Sequence, residues 1–431
     1  MRILVVGSGG REHALVKALA GSARTTALFA APGNPGTARH ATNVDVASDD
    51  FDGLVALADR ASIDLTVVGP EQPLVEGLVD RFEEEEGLRI VGPTAAAARL
   101  EGSKAFADQF MARHDIPTAS FRVFGADEYD AAAAHLDAVG APIVVKADGL
   151  AAGKGAFVCS TLEEAHDALD QVVRDRAFGE AGDQVVIEEK MEGEEVSILA
   201  LTDGTHYVLL TPSQDHKPIG EGGTGPNTGG MGAFSPAPIV DSSLLTRICR
   251  EIVEPTLQGM QEEGTPYTGI LYCGLMITEE GPKVVEYNCR LGDPEAQVVL
   301  PLVESDLVDV FERVAEGSLE AGALRAASRA AACVVLASEG YPIDYDTGVE
   351  ITGIDEAEGL PEVSVLHAGT RRRDDGTLVT DGGRVLGVTA TGDDLTQALE
   401  RAYRGVDAIH FEGKTFRSDI GEKGRAHLSD A

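Results

Sequence analysis

Residues 283–297, KVVEYNCRLGDPEAQ, place two oxygen donors and a fixed cation at regular spacing. Glu286 and Asn288 stand two apart after the apolar pair Val284-Val285. On a strand, residues i and i+2 point to the same face. A carboxylate and a carboxamide oxygen would then converge, a hard donor pair suited to Mg²⁺. Arg290, two residues on, adds a permanent cation, and Gly292-Asp293-Pro294 ends the strand in a loop. An isolated E-x-N is as readily an ordinary strand edge. Its meaning depends on what the rest of the chain brings for a metal to serve.

The upstream sequence brings groups suited to polyphosphate. Lys146 closes the apolar run Pro142 to Val145, and burying it calls for an anionic partner. The segment Asp148 to Val158, DGLAAGKGAFV, is a loop of glycine and small residues between two expected strands, and it carries Lys154. Such a loop can fold over phosphates through backbone N–H groups and one lysine. It is not a P-loop, because Gly155 stands where Ser or Thr would coordinate the metal. Glu188 ends the expected strand from Gln184, and Glu195 enters the next, positions suited to a ribose hydroxyl or an adenine amino group.

The elements that must position these groups follow from apolar runs and breakers. Residues 2–6 form a strand, followed by Gly7-Ser8-Gly9-Gly10 and a helix from about Glu12 to Ala20. A strand, glycine loop and helix in that order present N–H groups to an anion. Glu12 stands where a dinucleotide fingerprint requires glycine, and the strand Ala27 to Ala31 ends without a ribose-binding acid. Both facts oppose a nicotinamide-dependent oxidoreductase and favour a phosphate-bearing small molecule. Strands at 65–68 and 89–91 follow, the first leading into Gly69-Pro70-Glu71 at the edge where open α/β sheets bind ligands. One helix is expected over 95–114, carrying Lys104 and stopped by Asp115-Ile116-Pro117. Residues 211–236 read as a long glycine-rich loop, and strands at 269–277 and 283–287 as the hairpin that delivers Glu286 and Asn288. From 325 onward, short strands and a helix from about Asp394 to Arg404 suggest a separable α+β domain with no chemistry of its own.

Composition narrows the class. At 431 residues the chain is long enough for about three domains. Hydrophobic content of 43% and charged content of 25% are those of a soluble globular protein. No apolar run approaches a membrane span, and MRILVVGSGG is a strand and turn without a signal-peptide pattern, so a cytoplasmic location is expected. A net charge of −37 argues against nucleic-acid binding. With acids spread throughout, it suggests a halophilic source. Five scattered cysteines show no metal or disulfide spacing.

Taken together, GSGGREHAL, VGPEQPLV, LEGSKAF, IVVKADGLAAGKG, SQDHK, GPNTGGMGAFSPAP, EYNCRLGDPE and LHAGT resemble, in order, the ATP-grasp ligases. Among these the chain is most similar to the phosphoribosylamine–glycine ligase family. The resemblance spans nearly the whole chain, and GPNTGGMGA paired with NCRLGDPE is its most specific part. It implies an α/β and α+β multidomain protein. A parallel α/β substrate-binding domain would span 1–103, an ATP-grasp domain 104–324 with a flexible subdomain at about 120–190, and an α+β domain 325–431. It further implies that Lys104, Lys146, Asp148, Gly149, Gly153, Lys154, Gly155, Glu188, Glu189, Met191 and Glu195 serve ATP. Glu286 and Asn288 would hold Mg²⁺ or Mn²⁺. Gly9, Gly10, Glu71, Asp215, Asn227, Gly229 and Gly230 would contact the other substrates. Arg290, Asp293 and Lys217 would act in catalysis, Arg290 on the transferred phosphoryl group and Asp293 on the glycine ammonium. The implied substrates are ATP, glycine and 5-phosphoribosylamine, handled by a monomer without nucleic-acid or membrane partners. One departure bears on metal count: where many relatives carry another acid, this chain has Tyr272-Cys273-Gly274. A related ligase with different substrates would keep residues 140–300 but should lose GPNTGGMGA.

Overall fold

The computed structural model describes residues 1–85, 87–150 and 155–429. The chain opens with β1 (Arg2–Gly7), α1 (Gly10–Ala20), β2 (Ala27–Pro32), β3 (Thr42–Asn43), α2 (Phe51–Arg60), β4 (Leu65–Val68), α3 (Glu71–Val75), α4 (Leu78–Glu83) and β5 (Ile90–Val91). These strands form a parallel sheet in the order β3-β2-β1-β4-β5. Ile3 to Val6 are fully buried, as expected of a strand covered on both faces. Strand order reverses between β1 and β4, so the crevice beyond their carboxyl ends lies between Gly7-Ser8-Gly9 and Gly69-Pro70-Glu71.

The helix expected over 95–114 is two helices, α5 (Ala95–Gly102) and α6 (Lys104–Arg113). Ser103 between them is extended, with φ −144° and ψ 114°, and its Oγ accepts the Phe106 N–H at 3.0 Å. A serine that caps a helix offers its side chain in place of the missing backbone partner, which makes a break here inexpensive. The break makes Lys104 the first residue of a helix.

Next come β6 (Phe121–Gly125), α7 (Tyr129–Val139), β7 (Ile143–Ala147), β8 (Ala156–Cys159), α8 (Leu162–Leu169) and β9 (Gln184–Glu189). Their antiparallel sheet, β6-β9-β7-β8, packs on its own apolar core, which includes Leu136, Val145, Leu169 and Val185. A second antiparallel sheet, β11-β10-β16-β17, combines β10 (Glu194–Asp203), β11 (Tyr207–Leu209), β16 (Thr268–Thr278) and β17 (Gly281–Asn288). In the β16–β17 hairpin Gly274 faces Glu286 and Tyr272 faces Asn288. The register slips beside Val285, leaving it outside the regular pairing.

Residues 211–236 are not the structureless loop that their glycine content suggested. They hold β12 (Gln214–Asp215), β13 (Pro218–Gly220), β14 (Thr224–Asn227) and β15 (Gly232–Ser235). β13 and β14 pair with each other, while β12 and β15 join a sheet ordered β12-β15-β18-β22-β19. Its other strands are β18 (Ala330–Ser338), β19 (Val363–His367) and β22 (Arg384–Gly392), with β20 (Thr370–Arg372) and β21 (Leu378–Thr380) forming a separate ribbon between the last two. The sheet of the residues beyond 325 is completed by residues before them, because β15 supplies one of its inner strands. Short polar strands escape a reading based on apolar alternation when a distant strand such as β18 provides their ladder partners. Among the described residues no helix is long and apolar enough to cross a membrane.

Candidate active site

At one end of the site, the start of α6 holds the start of the glycine loop. Asp148 accepts the Ala105 N–H and the Ser103 hydroxyl, each at 3.1 Å, and Lys104 Nζ donates to the Gly149 carbonyl at 2.8 Å. The Ala147 N–H donates to the Gly155 carbonyl at 2.8 Å, closing the loop's base. Gly153 and Lys154 lie outside the described residues. Burial lowers Lys104 from its ordinary value, although Glu286 opposes the shift.

Lys146 finds the anionic partner that its burial demanded. Its Nζ lies 2.6 Å from Glu188 Oε2 and donates to the Val285 carbonyl at 3.2 Å, the residue displaced by the register slip in β17. Burial would lower Lys146, but Glu188 and Asp108 outweigh it and raise the pKa. Asp108 sits one turn beyond Lys104 on α6, within hydrogen-bonding reach of Glu188. Burial first, and the neighbouring Glu188 second, push Asp108 up to about 8. Glu189 does not join this group. As the next residue along β9 it faces the other way, accepting from Ser120 Oγ at 2.9 Å and lying 3.7 Å from Lys283 Nζ. Met191 is half-buried just past β9.

The centre of the site is Glu286. Lys217 Nζ bridges Glu195 at 2.9 Å and Glu286 at 3.4 Å. Burial alone would raise Glu286, but Lys217, Lys146, Lys104 and Arg290 together hold it down at about 2. Lys217 is raised well above its ordinary value, since Glu195, Glu286 and Asp215 overcome its desolvation. Asp215 is pushed up to about 8 by desolvation, with Lys217 opposing and Glu295, Glu195 and Glu286 adding to the shift. Glu286 and the buried Asn288 lie on one face of β17, so an ionised carboxylate and an amide oxygen stand together. Among the described residues no group of three or more His, Cys, Asp or Glu side chains converges as a cage. A divalent ion held here would take its remaining ligands from phosphate and water, a pattern that fits Mg²⁺. Tyr272, at the position where another acid was expected, donates its hydroxyl to Glu295 Oε1 at 2.9 Å. A carboxylate is thus linked to that strand through a tyrosine, from a loop further along the chain.

Arg290 is bound at both ends. Its Nε donates to Glu71 at 3.2 Å and its Nη2 to Glu101 at 2.9 Å, while the other Glu101 oxygen accepts the Cys289 N–H at 2.6 Å. Glu101 is raised from its ordinary value by desolvation, with Arg290 pulling it back. Glu71 is lowered, since Arg290 and Arg11 outweigh its burial. The N-terminal loop offers less free N–H than its glycines suggested. Glu12 Oε2 takes the Gly9 N–H at 2.5 Å, and Asp293 Oδ2 takes the Arg11 N–H at 3.4 Å. Gly10 packs against Gln297 and Asp293, so a side chain at 10 would meet Gln297 Nε2 at 2.8 Å. Asp293 is desolvated yet lowered, because Arg384, Arg11 and Gln297 favour its ionised form. Asn227 is exposed on β14, while Gly229 and Gly230 meet Arg384.

Lys104, Lys146, Asp148, Gly149, Glu188, Glu195, Lys217, Glu286, Asn288, Arg290, Glu71 and Asp293 thus lie along one continuous path. Glu189 lies off it. Sequence reasoning missed Glu101, Asp108, Arg11, Glu295 and Arg384. The first, third and fourth stand inside quoted motifs, LEGSKAF, GSGGREHAL and EYNCRLGDPE. The residues beyond 325 do contribute, through Arg384, and nothing in GGRV marked it.

Residues 1–101 match the family description "Phosphoribosylglycinamide synthetase, N domain". Residues 102–296 match its "ATP-grasp (A) domain" and residues 331–423 its "C domain". The chain is 52% identical over 434 residues to a phosphoribosylamine–glycine ligase of Xanthomonas campestris pv. campestris, with 100% of both chains covered. It is 52% identical over 427 residues to that of Chlorobaculum tepidum, covering 98% of this chain and 100% of the other. The crystal structure of the Thermotoga maritima phosphoribosylamine–glycine ligase superposes with a TM-score of 0.83 at 34% identity, over 97% of this chain and 100% of that one. A biotin carboxylase from Campylobacter jejuni shares the fold at a TM-score of 0.70 with 14% identity, over 99% and 94% of the two chains.

Proposed function

The chain belongs to the phosphoribosylglycinamide synthetase family, and from that premise we propose that it joins glycine to 5-phosphoribosylamine, with ATP as the third substrate. The products are glycinamide ribonucleotide, ADP and phosphate, in purine biosynthesis. The observation that carries this reading is the row of cations Lys104, Lys146, Lys217 and Arg290, which keeps Glu286 ionised and leads from the glycine loop to Asp293. Such a row suits a polyphosphate at one end and a carboxylate to be activated at the other.

Lys104 and Lys146 bind the phosphates, Lys146 exchanging part of its bond to Glu188 for a phosphate oxygen. Glu286 and Asn288 would hold Mg²⁺ or Mn²⁺, which would supply charge to offset that of the phosphates. Asp293 takes the glycine ammonium. A glycine carboxylate oxygen attacks the γ-phosphorus in line, the bond to the β-phosphate oxygen breaks, and ADP leaves. The amine of phosphoribosylamine then attacks the carbonyl carbon of glycyl phosphate. Phosphate departs with the electron pair of the C–O bond, and the amine loses a proton. Arg290 stabilises the anionic intermediate, and its two carboxylate partners keep the guanidinium oriented without a rearrangement. Glu71 and the Gly9–Gly10 turn face the sugar-phosphate end. The chain acts as a cytoplasmic monomer.

Phosphate release from ATP, measured with each substrate alone and with both, tests the reading. Full release only when glycine and phosphoribosylamine are both present is the expected result. Release independent of either substrate overturns it.

A further inference from the structure

Arg384 is the first residue of β22, in the part of the chain that showed no chemistry in its sequence. Its Nη1 donates to the Gly229 carbonyl at 2.6 Å and to the Asp293 carbonyl at 2.6 Å. The same nitrogen lies 3.3 Å from the Gly230 carbonyl and 3.4 Å from Asp293 Oδ1. One guanidinium therefore joins the turn between β14 and β15 to the loop that follows Arg290. Tyr341 adds a second contact from the same side, its hydroxyl accepting the Gly229 N–H at 3.2 Å.

The two glycines explain how this junction closes. A Cβ on Gly229 would sit 2.9 Å from Arg384 Cζ, inside the guanidinium. Gly230 has φ +112°, and a Cβ there would meet Pro294 Cδ at 2.4 Å. The GG pair is thus needed for loop-to-loop approach, which gives these residues a packing role. Carbonyl groups at a half-buried junction need donors, and one charged donor shared by two loops binds them more strongly than neutral pairs would. Arg384 also favours the ionised form of Asp293.

We propose that Arg384 is a positioning residue for the acceptor half of the site: it holds the 227–232 turn against the 291–294 loop so that Asp293 and Arg290 meet glycine and the amine in register. The inference rests on the ligase reading above. The nucleotide end, from Lys104 to Glu188, has no contact with this clasp among the interactions described, so loss of the clasp separates the two halves kinetically.

The test is steady-state kinetics on the full-length chain for Arg384→Ala, Arg384→Lys and Gly229→Ala. Arg384→Ala is expected to raise KM for glycine by about tenfold and to lower kcat, with KM for ATP within about twofold of the parent. Methylguanidinium added to the alanine variant restores part of the loss, and the lysine variant, whose shorter side chain brings its ammonium less far than Nη1, falls between. Gly229→Ala keeps the arginine but displaces it, and should show the same split even where Arg384→Ala folds poorly. Parallel changes in all three KM values, or unchanged glycine kinetics in Gly229→Ala and Arg384→Lys alike, would overturn the proposal. A parent enzyme whose phosphate release ignores glycine and phosphoribosylamine overturns the ligase reading itself, which distinguishes the two failures.

Discussion

Three of the four cations in the row, Lys146, Lys217 and Arg290, have a carboxylate within reach, while Lys104 donates to the Gly149 carbonyl instead. Lys146 has Glu188, Lys217 has Glu195 and Glu286, and Arg290 has Glu71 and Glu101. Breaking a buried pair by removing one partner leaves an unpaired charge at large cost, so Lys146 with Glu188 and Arg290 with Glu101, the most buried of these pairs, are held by structure as well as by use. Asp108 is the exception, a carboxyl beside a carboxylate already committed to Lys146. With its pKa at about 8 in the fold and roughly 3.9 when unfolded, the folded chain holds one more proton between those values. Stability then falls as pH rises through that window. The charged groups facing Asp108 are Glu188 and Lys146, with Asp148 further along. Asp108→Asn keeps the donor and removes the titration, so its melting temperature should decline less than the parent's between about pH 5 and pH 8. Equal declines in thermal melts of the two proteins would count against the carboxyl–carboxylate pair.

Among elements, the break at Ser103 has the largest consequence for the site. Ala95 to Arg113 has the composition of one helix, and only the extended backbone at Ser103 turns Lys104 and the Ala105 N–H toward Asp148. The serine hydroxyl does two things, accepting from Phe106 and donating to Asp148. Ser103→Ala should therefore cost about 1 kcal/mol in stability, measured by urea unfolding. It should also weaken ATP binding, because Asp148 loses one of the donors that hold the glycine loop. A variant with unchanged ATP affinity would assign Ser103 to capping alone. The four short strands of 211–236 teach a related lesson. Gln214-Asp215 pairs with Gly232 to Ser235, and that strand in turn is made an inner one by β18, about a hundred residues later.

For the whole molecule, the net charge of −37 is the dominant electrostatic fact. Like charges spread over a folded surface repel, and salt screens them over a Debye length of about 3 Å at 1 M. The melting temperature should therefore rise between low salt and molar salt, as the halophilic reading requires. A lower melting temperature at molar salt would sink it.

Much of the architecture was legible in the chain because it is locally encoded. Strands β1 and β4, the β16–β17 hairpin and the same-face placement of Glu286 and Asn288 follow from apolar runs and period-two geometry, and the motifs named the family. Lys146 announced its need for an anion by ending a buried strand. Which anion answered was not legible. Glu101 meets Arg290 across 189 residues, Asp293 meets Arg11 across 282, and Arg384 reaches Gly229 across 155. Local sequence records propensity and burial, whereas the partner of a buried charge is chosen by how separate sheets approach one another. The chemistry of the site was therefore written in the sequence as residue types, and only the tertiary structure decided which of them share a proton, a carbonyl or a charge.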